Sequence, residues 1–164
     1  MALLLVVWLS ACGGTPKKAW THGMDPDKTA TLVDGKAVPP DRLPKPVSQA
    51  ITAGNRIVGK PYRRGGGHGR IEDSAYDCSG TVSYVLYHAG LLTAPDTSSG
   101  FRDYGKSGRG KHITIFAKSG HVFVEIAGLR LDTGYNGGSR GDGPKWTAKP
   151  RPTSGFVMRH PEGY

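Results

Sequence analysis

At 164 residues the chain has room for one ordinary domain and a tail, and not for a second enzyme-sized domain. With 25 Gly and 12 Pro against a hydrophobic share of 37%, turns and irregular loops are expected throughout and an all-helical bundle is disfavoured. A formal charge of +9 draws the protein to anionic surfaces, but nucleic acid, acidic phospholipid and anionic wall polymer all qualify, so charge alone does not choose among them.

Residues 2–9 read ALLLVVWL, an uncharged apolar run too short to span a bilayer and long enough for the core of a secretory signal. The run closes on Leu9-Ser10-Ala11-Cys12, which resembles the lipobox of bacterial lipoproteins, whose cysteine is acylated and becomes the first mature residue. Residues 1–11 are therefore expected to be a signal peptide, and Cys12 the point of a lipid anchor in the cell envelope. No Lys or Arg precedes the apolar run, a departure from the usual pattern. Lipidation of Cys12 would leave Cys78 as the sole thiol and allow no intramolecular disulfide. An unpaired cysteine in an exported protein is either buried and inert or reactive.

Residues 12–44 carry Pro16, Pro26, Pro39, Pro40 and Pro44 among Gly, Thr, Lys and Asp without an apolar period, and predict a flexible tether. The domain proper is expected over residues 45–164. Val47, Ala50, Ile51, Gly54, Ile57 and Val58 fall on a helical stripe with Pro46 in the first turn, predicting a helix that ends near Gly59. A glycine-dense loop, KPYRRGGGHGR, follows. Val82, Val85, Leu86 and Ala89 then predict a second helix over 78–89 with one buried face, stopped by Gly90. Residues 91–111 read as loop.

Beyond them the period falls to two. Ile113 and Ile115 alternate with Thr114 and Phe116, and Val122, Val124 and Ile126 with His121, Phe123 and Glu125, predicting two strands joined through Lys118-Ser119-Gly120. Ala127-Gly128 turns the chain into Leu129–Asp132, residues 134–144 are too glycine-rich for an element, Trp146 anchors a surface loop, and residues 156–159 form a last strand. Helices followed by an antiparallel meander make an α+β domain.

Cys78 stands where the second helix begins, and unpaired backbone N–H groups together with the helix dipole favour a thiolate there. A cysteine nucleophile needs a base. His121 opens a strand with its side chain opposite Val122, Val124 and Ile126, where it can face the helix N-terminus. Asp132 lies on the following strand, opposite Leu129 and Leu131, and the hairpin through Ala127-Gly128 brings it near His121 as a group to orient the ring.

YDCSGTVSYVL, SGHVFVEI and LRLDTG, preceded by GKPYRRGG, together resemble the NlpC-type family of papain-like cysteine peptidases, which cut bacterial cell-wall peptides; the likeness covers about residues 47–160. The resemblance implies a papain-like NlpC-type α+β domain with N-terminal helices on an antiparallel meander, Cys78 as nucleophile, His121 as base and Asp132 as orienting residue. It further implies that Tyr62 lines the site near the oxyanion; Asp77 and Ser79 beside the cysteine, and His68 in a loop that Gly67-His68-Gly69 extends beyond the family pattern, are further candidate substrate contacts. The bond expected from it joins D-glutamate to a diamino acid in a peptidoglycan stem peptide. Two departures stand out: the third position, often His in the family, is Asp132, and Arg64 replaces an aromatic residue before the paired glycines. A carboxylate serves equally to fix the tautomer.

Neither HExxH nor CxxC occurs, and the six histidines show no metal-ligand spacing, so no metal or other cofactor is expected. Phosphate-loop and dinucleotide fingerprints are missing too, and the dispersed Lys and Arg of an exported chain argue against nucleic acid. A monomeric, lipid-anchored peptidoglycan hydrolase is the expectation. Two alternatives share the scaffold: a wall-binding module with a vestigial cysteine, and an amidase or acyltransferase acting on another amide.

Overall fold

The computed structural model describes residues 28–134 and 142–164. The expected signal peptide, Cys12 and the tether as far as residue 27 lie outside the described residues, as does most of the glycine-rich loop expected at 134–144.

The tether reading requires correction over residues 31–38. Strands β1 (Thr31–Val33) and β2 (Lys36–Val38) pair antiparallel around Asp34-Gly35, both at positive φ, the backbone a two-residue hairpin turn requires. This hairpin is docked on the domain. Asn55 accepts from the Ala37 N–H at 2.9 Å and donates to the Ala37 carbonyl at 2.8 Å, while the Ala30 N–H donates to Ala127 O at 2.8 Å. Ala30 and Ala37 are both buried in the core. Residues 31–38 therefore belong to the domain.

Helix α1 (Lys45–Ile57) begins at Pro44 with Pro46 in its first turn, where a missing N–H costs nothing, and buries Val47, Ala50, Ile51, Ala53, Gly54 and Ile57. Each large aliphatic side chain buried there contributes about 1.5–3 kcal/mol. Helix α2 (Cys78–His88) departs from the expected single buried face, because every residue from Ser79 to Leu86 is buried. The small and hydroxyl-bearing positions, Ser79, Gly80, Thr81 and Ser83, are covered as fully as Val82, Val85 and Leu86. It is the central element of the molecule, with loops and helix α1 packed where a surface helix would meet solvent.

Beyond α2, the segment expected to be featureless holds a 3₁₀ turn (Gly100–Arg102) and a short strand β3 (Lys106–Ser107). β4 (Ile113–Lys118), β5 (His121–Ile126) and β6 (Leu129–Asp132) form the expected meander, which continues into β7 (Lys145–Thr147). β7 was not anticipated. Its Trp146 is not a loop anchor but a buried residue of an edge strand, lodged against Gly54 so closely that no side chain at that position could fit. The last strand, β8 (Val157–His160), inserts between β3 and β4, so the six-stranded order is β3-β8-β4-β5-β6-β7 and the sheet is more than a meander. Flanked on both sides, β4 is buried from Ile113 to Ala117 on both of its faces. One face meets the helices; on the other, Phe116 stacks on Phe123 at 4.6 Å and Phe156 meets Phe123 edge-on at 5.3 Å.

Candidate active site

Asp77, in extended backbone (φ −90°, ψ −172°), caps α2 by accepting from the Gly80 N–H at 2.7 Å. The other carboxylate oxygen accepts from the Gly65 N–H at 2.8 Å, so a single side chain ties the helix start to the glycine loop. The loop is braced a second time by Asp73, which accepts from the Gly67 N–H at 3.1 Å and from Arg63 at 2.7 Å. These donors, Gly67 first, hold the Asp73 carboxyl well below the usual carboxylate range. A parallel bridge between Tyr62 and Tyr76 fixes the start of the same loop. The partly exposed Cys78 is thus delivered at the first turn of a helix that cannot move relative to the loop in front of it.

His121 opens β5, where its ring hydrogen-bonds Asp132 and feels the charge of Cys78 at the start of α2. Its Nε2 lies 3.0 Å from Asp132 Oδ1, which leaves Nδ1 as the ring nitrogen for the thiol. The sheet register explains the approach: Val124 pairs with Leu131, so Asp132 falls opposite Phe123, one pair along from His121 on the same face. That is a diagonal neighbour within reach of long side chains. The side chain of Asp132 is fully buried, and its Oδ1 also accepts from the N–H groups of Thr133 at 2.8 Å and Gly134 at 3.0 Å. Burial opposes its ionisation, but the hydrogen bond and charge of His121, with Arg151, outweigh it and lower its pKa.

Burial likewise opposes a charge on His121, yet hydrogen bonds to Asp132 and Cys78 and their negative charges prevail and push the ring up to about 9. Imidazolium is therefore held below that pH and lost as pH rises through it, and activity needing the ring as an acid falls on that alkaline side. Asp132→Asn removes one of the charges responsible, so histidine NMR should show the ring titrating lower, towards its ordinary 6.5. An unchanged titration in that variant would show that Asp132 does not hold the proton on the ring.

A cleft of about 550 Å³ opens in front of Cys78, walled by Tyr62, Arg64, His68, Asp77, Ser79 and Thr97 among others. Burial, then the nearby Cys78 and Asp77, raise the Tyr62 pKa, with Arg64 opposing, so the phenol keeps its proton as a donor. His68 Nε2 lies 3.2 Å from Asp77 Oδ1 and 3.0 Å from Ser79 Oγ, and the Ser79 hydroxyl donates to Asp77 at 3.2 Å. All seven candidates described, Tyr62, His68, Asp77, Cys78, Ser79, His121 and Asp132, come together in this one region, and Cys12 lies outside the described residues. Among the described residues no His, Cys, Asp and Glu side chains gather as a metal-binding group.

One residue of the site is absent from the motif reading. Arg151 donates to Asp132 Oδ2 at 2.6 Å and to the Gly134 carbonyl at 3.1 Å, and its Nη1 stands 3.1 Å from His121 Nε2. Nothing in the sequence marks it among the dispersed cations, because the chain between Asp132 and Arg151 returns through β7 before bringing the guanidinium back.

The order of these elements, with a cysteine-bearing helix followed by an antiparallel sheet, is the NlpC/P60 fold, as comparison with solved structures shows. The P60 domain of antigen MAP1204 from Mycobacterium avium subspecies paratuberculosis superposes with a TM-score of 0.54 at 20% identity, over 71% of this chain and 96% of that one. The peptidoglycan hydrolase RipB of Mycobacterium tuberculosis gives 0.54 at 23% identity, over 75% of this chain and 70% of that one. RipD of the same organism, described as a non-catalytic NlpC/p60 domain protein adapted to peptidoglycan binding, gives 0.51 at 20% identity, over 72% and 98%. No family model matches the sequence. No curated protein matches it either.

Proposed function

We propose that this protein is a cysteine hydrolase that cleaves an amide bond in peptidoglycan stem peptides from a position in the cell envelope. The observation that supports it most is the buried Asp132 holding His121 against a partly exposed Cys78 at the mouth of an open cleft. The solved structures that share the fold include both a hydrolase and a non-catalytic wall binder, so the chemistry of these three side chains favours the enzyme reading over the binding module.

In the proposed mechanism His121 takes the Cys78 proton and the thiolate attacks the amide carbonyl carbon. The oxyanion is stabilised by backbone N–H groups at the start of α2 and by the Tyr62 phenol. Imidazolium then protonates the leaving amine as the C–N bond breaks, leaving a thioester on Cys78. Neutral His121 next removes a proton from water, whose oxygen attacks the thioester carbonyl; the acid is released and the thiol restored. The bond between D-glutamate and a diamino acid is the reading that the motif resemblance supports. Digestion of purified cell wall with mass analysis of the soluble fragments tests it: parent protein should release cut stem peptides and Cys78→Ala none. Intact stem peptides with both proteins would reject the hydrolase, and a cut elsewhere in the stem would correct the bond.

We also propose that Cys12 carries a lipid, on the strength of the Leu9-Ser10-Ala11-Cys12 sequence after an apolar run. Cys12→Ala should move the protein from the membrane to the soluble fraction while its hydrolytic activity persists. A variant that stays with the membrane would refute the anchor.

A further inference from the structure

The cation beside the His121–Asp132 pair has consequences that pairing geometry makes explicit. Arg151 has only donors, and its Nη1 is 2.6 Å from Asp132 Oδ2 and 3.1 Å from His121 Nε2. While Nε2 carries the proton it gives to Asp132 Oδ1, it cannot also accept from Arg151. In that state the guanidinium is a positive charge at the edge of the ring, and it can donate to Nε2 only when that nitrogen has lost its proton. Arg151 is held there from three sides: by the carboxylate, by the Gly134 carbonyl at 3.1 Å, and by the rings of Phe123 and Phe156, 5.1 and 5.6 Å from its guanidinium carbon. Only 21% of its side chain is exposed, so solvent screens it poorly.

We propose that Arg151 is a positioning residue for the reaction: it clamps Asp132 through Oδ2 so that Oδ1 stays on His121, and its charge at the edge of the ring weakens the hold of His121 on its proton. This inference rests on the cysteine–histidine reading of the site. Two halves of the catalytic cycle make opposite demands on the ring, which must give a proton to the leaving amine and later take one from water. A base held protonated too firmly fails in the second task, since efficiency is greatest when the proton affinity lies near the working pH. The groups that face His121 are Cys78 from α2, Asp132 from β6, and Arg151 from the segment before β8. Lys118 pairs with it in the β4–β5 register, and Arg130 lies behind Asp132, with Nε 3.5 Å from Oδ2. Cys78 and Asp132 favour the charged ring; Arg151, the nearest cation to it, opposes them both directly and by partly neutralising Asp132.

The test is the titration of His121, followed by NMR in histidine-labelled protein, together with the pH profile of Cys78 alkylation. Arg151→Gln keeps a donor for Asp132 and removes the charge; it should raise the His121 titration by about one pH unit, and kcat should fall with little change in KM. Arg151→Met retains the stem against Phe123 and Phe156 and serves as a second uncharged variant should the first fail to fold. Arg151→Lys should bring the titration back close to the parent value, which a merely structural role would not do. If both uncharged variants titrate like the parent or lower, the proposal is overturned. Parent protein whose alkylation is indifferent to His121→Ala would instead overturn the cysteine–histidine reading beneath it, a distinct result.

Discussion

On purified cell wall, Cys78→Ala should lower kcat by about 10⁶-fold, His121→Ala by a similar factor, and Asp132→Ala by only about 10⁴-fold. The nucleophile and its base act as one unit, so the double variant Cys78→Ala with His121→Ala should be no worse than either alone. Asp132 makes its contribution through the ring. In the proposed mechanism its carboxylate fixes which nitrogen faces Cys78 and steadies the imidazolium, and part of that work survives its loss because Gly134 and the packing of Phe123 and Phe156 still confine the ring. Gly134 matters here because an added Cβ would stand 3.1 Å from His121 Cε1. Rates are read from release of soluble stem peptides per unit time. Similar activity in the parent, Cys78→Ala and Asp132→Ala would remove the catalytic mechanism altogether.

The largest effect expected on stability is that of Gly80→Ala. Gly80 lies in the first turn of α2, in an ordinary helical position where alanine would normally help. Its Cβ, however, would collide with the Gly66 carbonyl oxygen and stand 3.2 Å from Gly67 Cα, and backbone atoms braced by Asp73 and Asp77 cannot swing aside as a side chain would. Overpacking of this kind costs about 3 kcal/mol. Urea unfolding should show that loss, while Gly69→Ala, where an added Cβ meets no atom within 4 Å, should stay near the parent. Displacing the glycine loop also moves Tyr62 and the cleft wall, so the Gly80 variant should lose activity under conditions where it remains folded. Equal midpoints for the two alanine variants would refute the close-approach explanation.

The two arguments together explain why Asp-Cys-Ser-Gly is a unit. Asp77 caps the helix and anchors the loop, Cys78 takes the exposed corner, Ser79 donates to Asp77 beside His68, and Gly80 leaves room for the loop to close over the helix. In the proposed mechanism only Cys78 reacts; the other three residues hold it in place.

Elements whose signal is local were legible along the chain. Helix α1 follows from an apolar stripe at 3.6-residue spacing and a proline at its start, and the β4–β5 hairpin from strict alternation around a glycine at positive φ. The pairing of His121 with Asp132 could be read as well, since strands joined by a two-residue turn place their same-face residues within a fixed distance. The hairpin at 31–38 escaped because its strands span three residues each and are surrounded by proline, leaving Asp34-Gly35 as the sole cue. α2 misled in another way: periodicity reports only the apolar face, and Gly80 and Ser83 are buried without being apolar.

By itself, then, the sequence determined the helix and the strands on which Cys78, His121 and Asp132 lie, and it singled out those three residues as a candidate site. Tertiary structure alone decided three things: that β8 returns between β3 and β4, that α2 is buried all round from Ser79 to Leu86, and that Arg151 stands against Asp132 and His121. The physical reason is the range of the interactions. Caps, turns and side-chain periods act over a few residues and leave a local pattern, whereas a strand insertion or a guanidinium returning from a distant segment is selected by the packing of the whole sheet and leaves no spacing to be read.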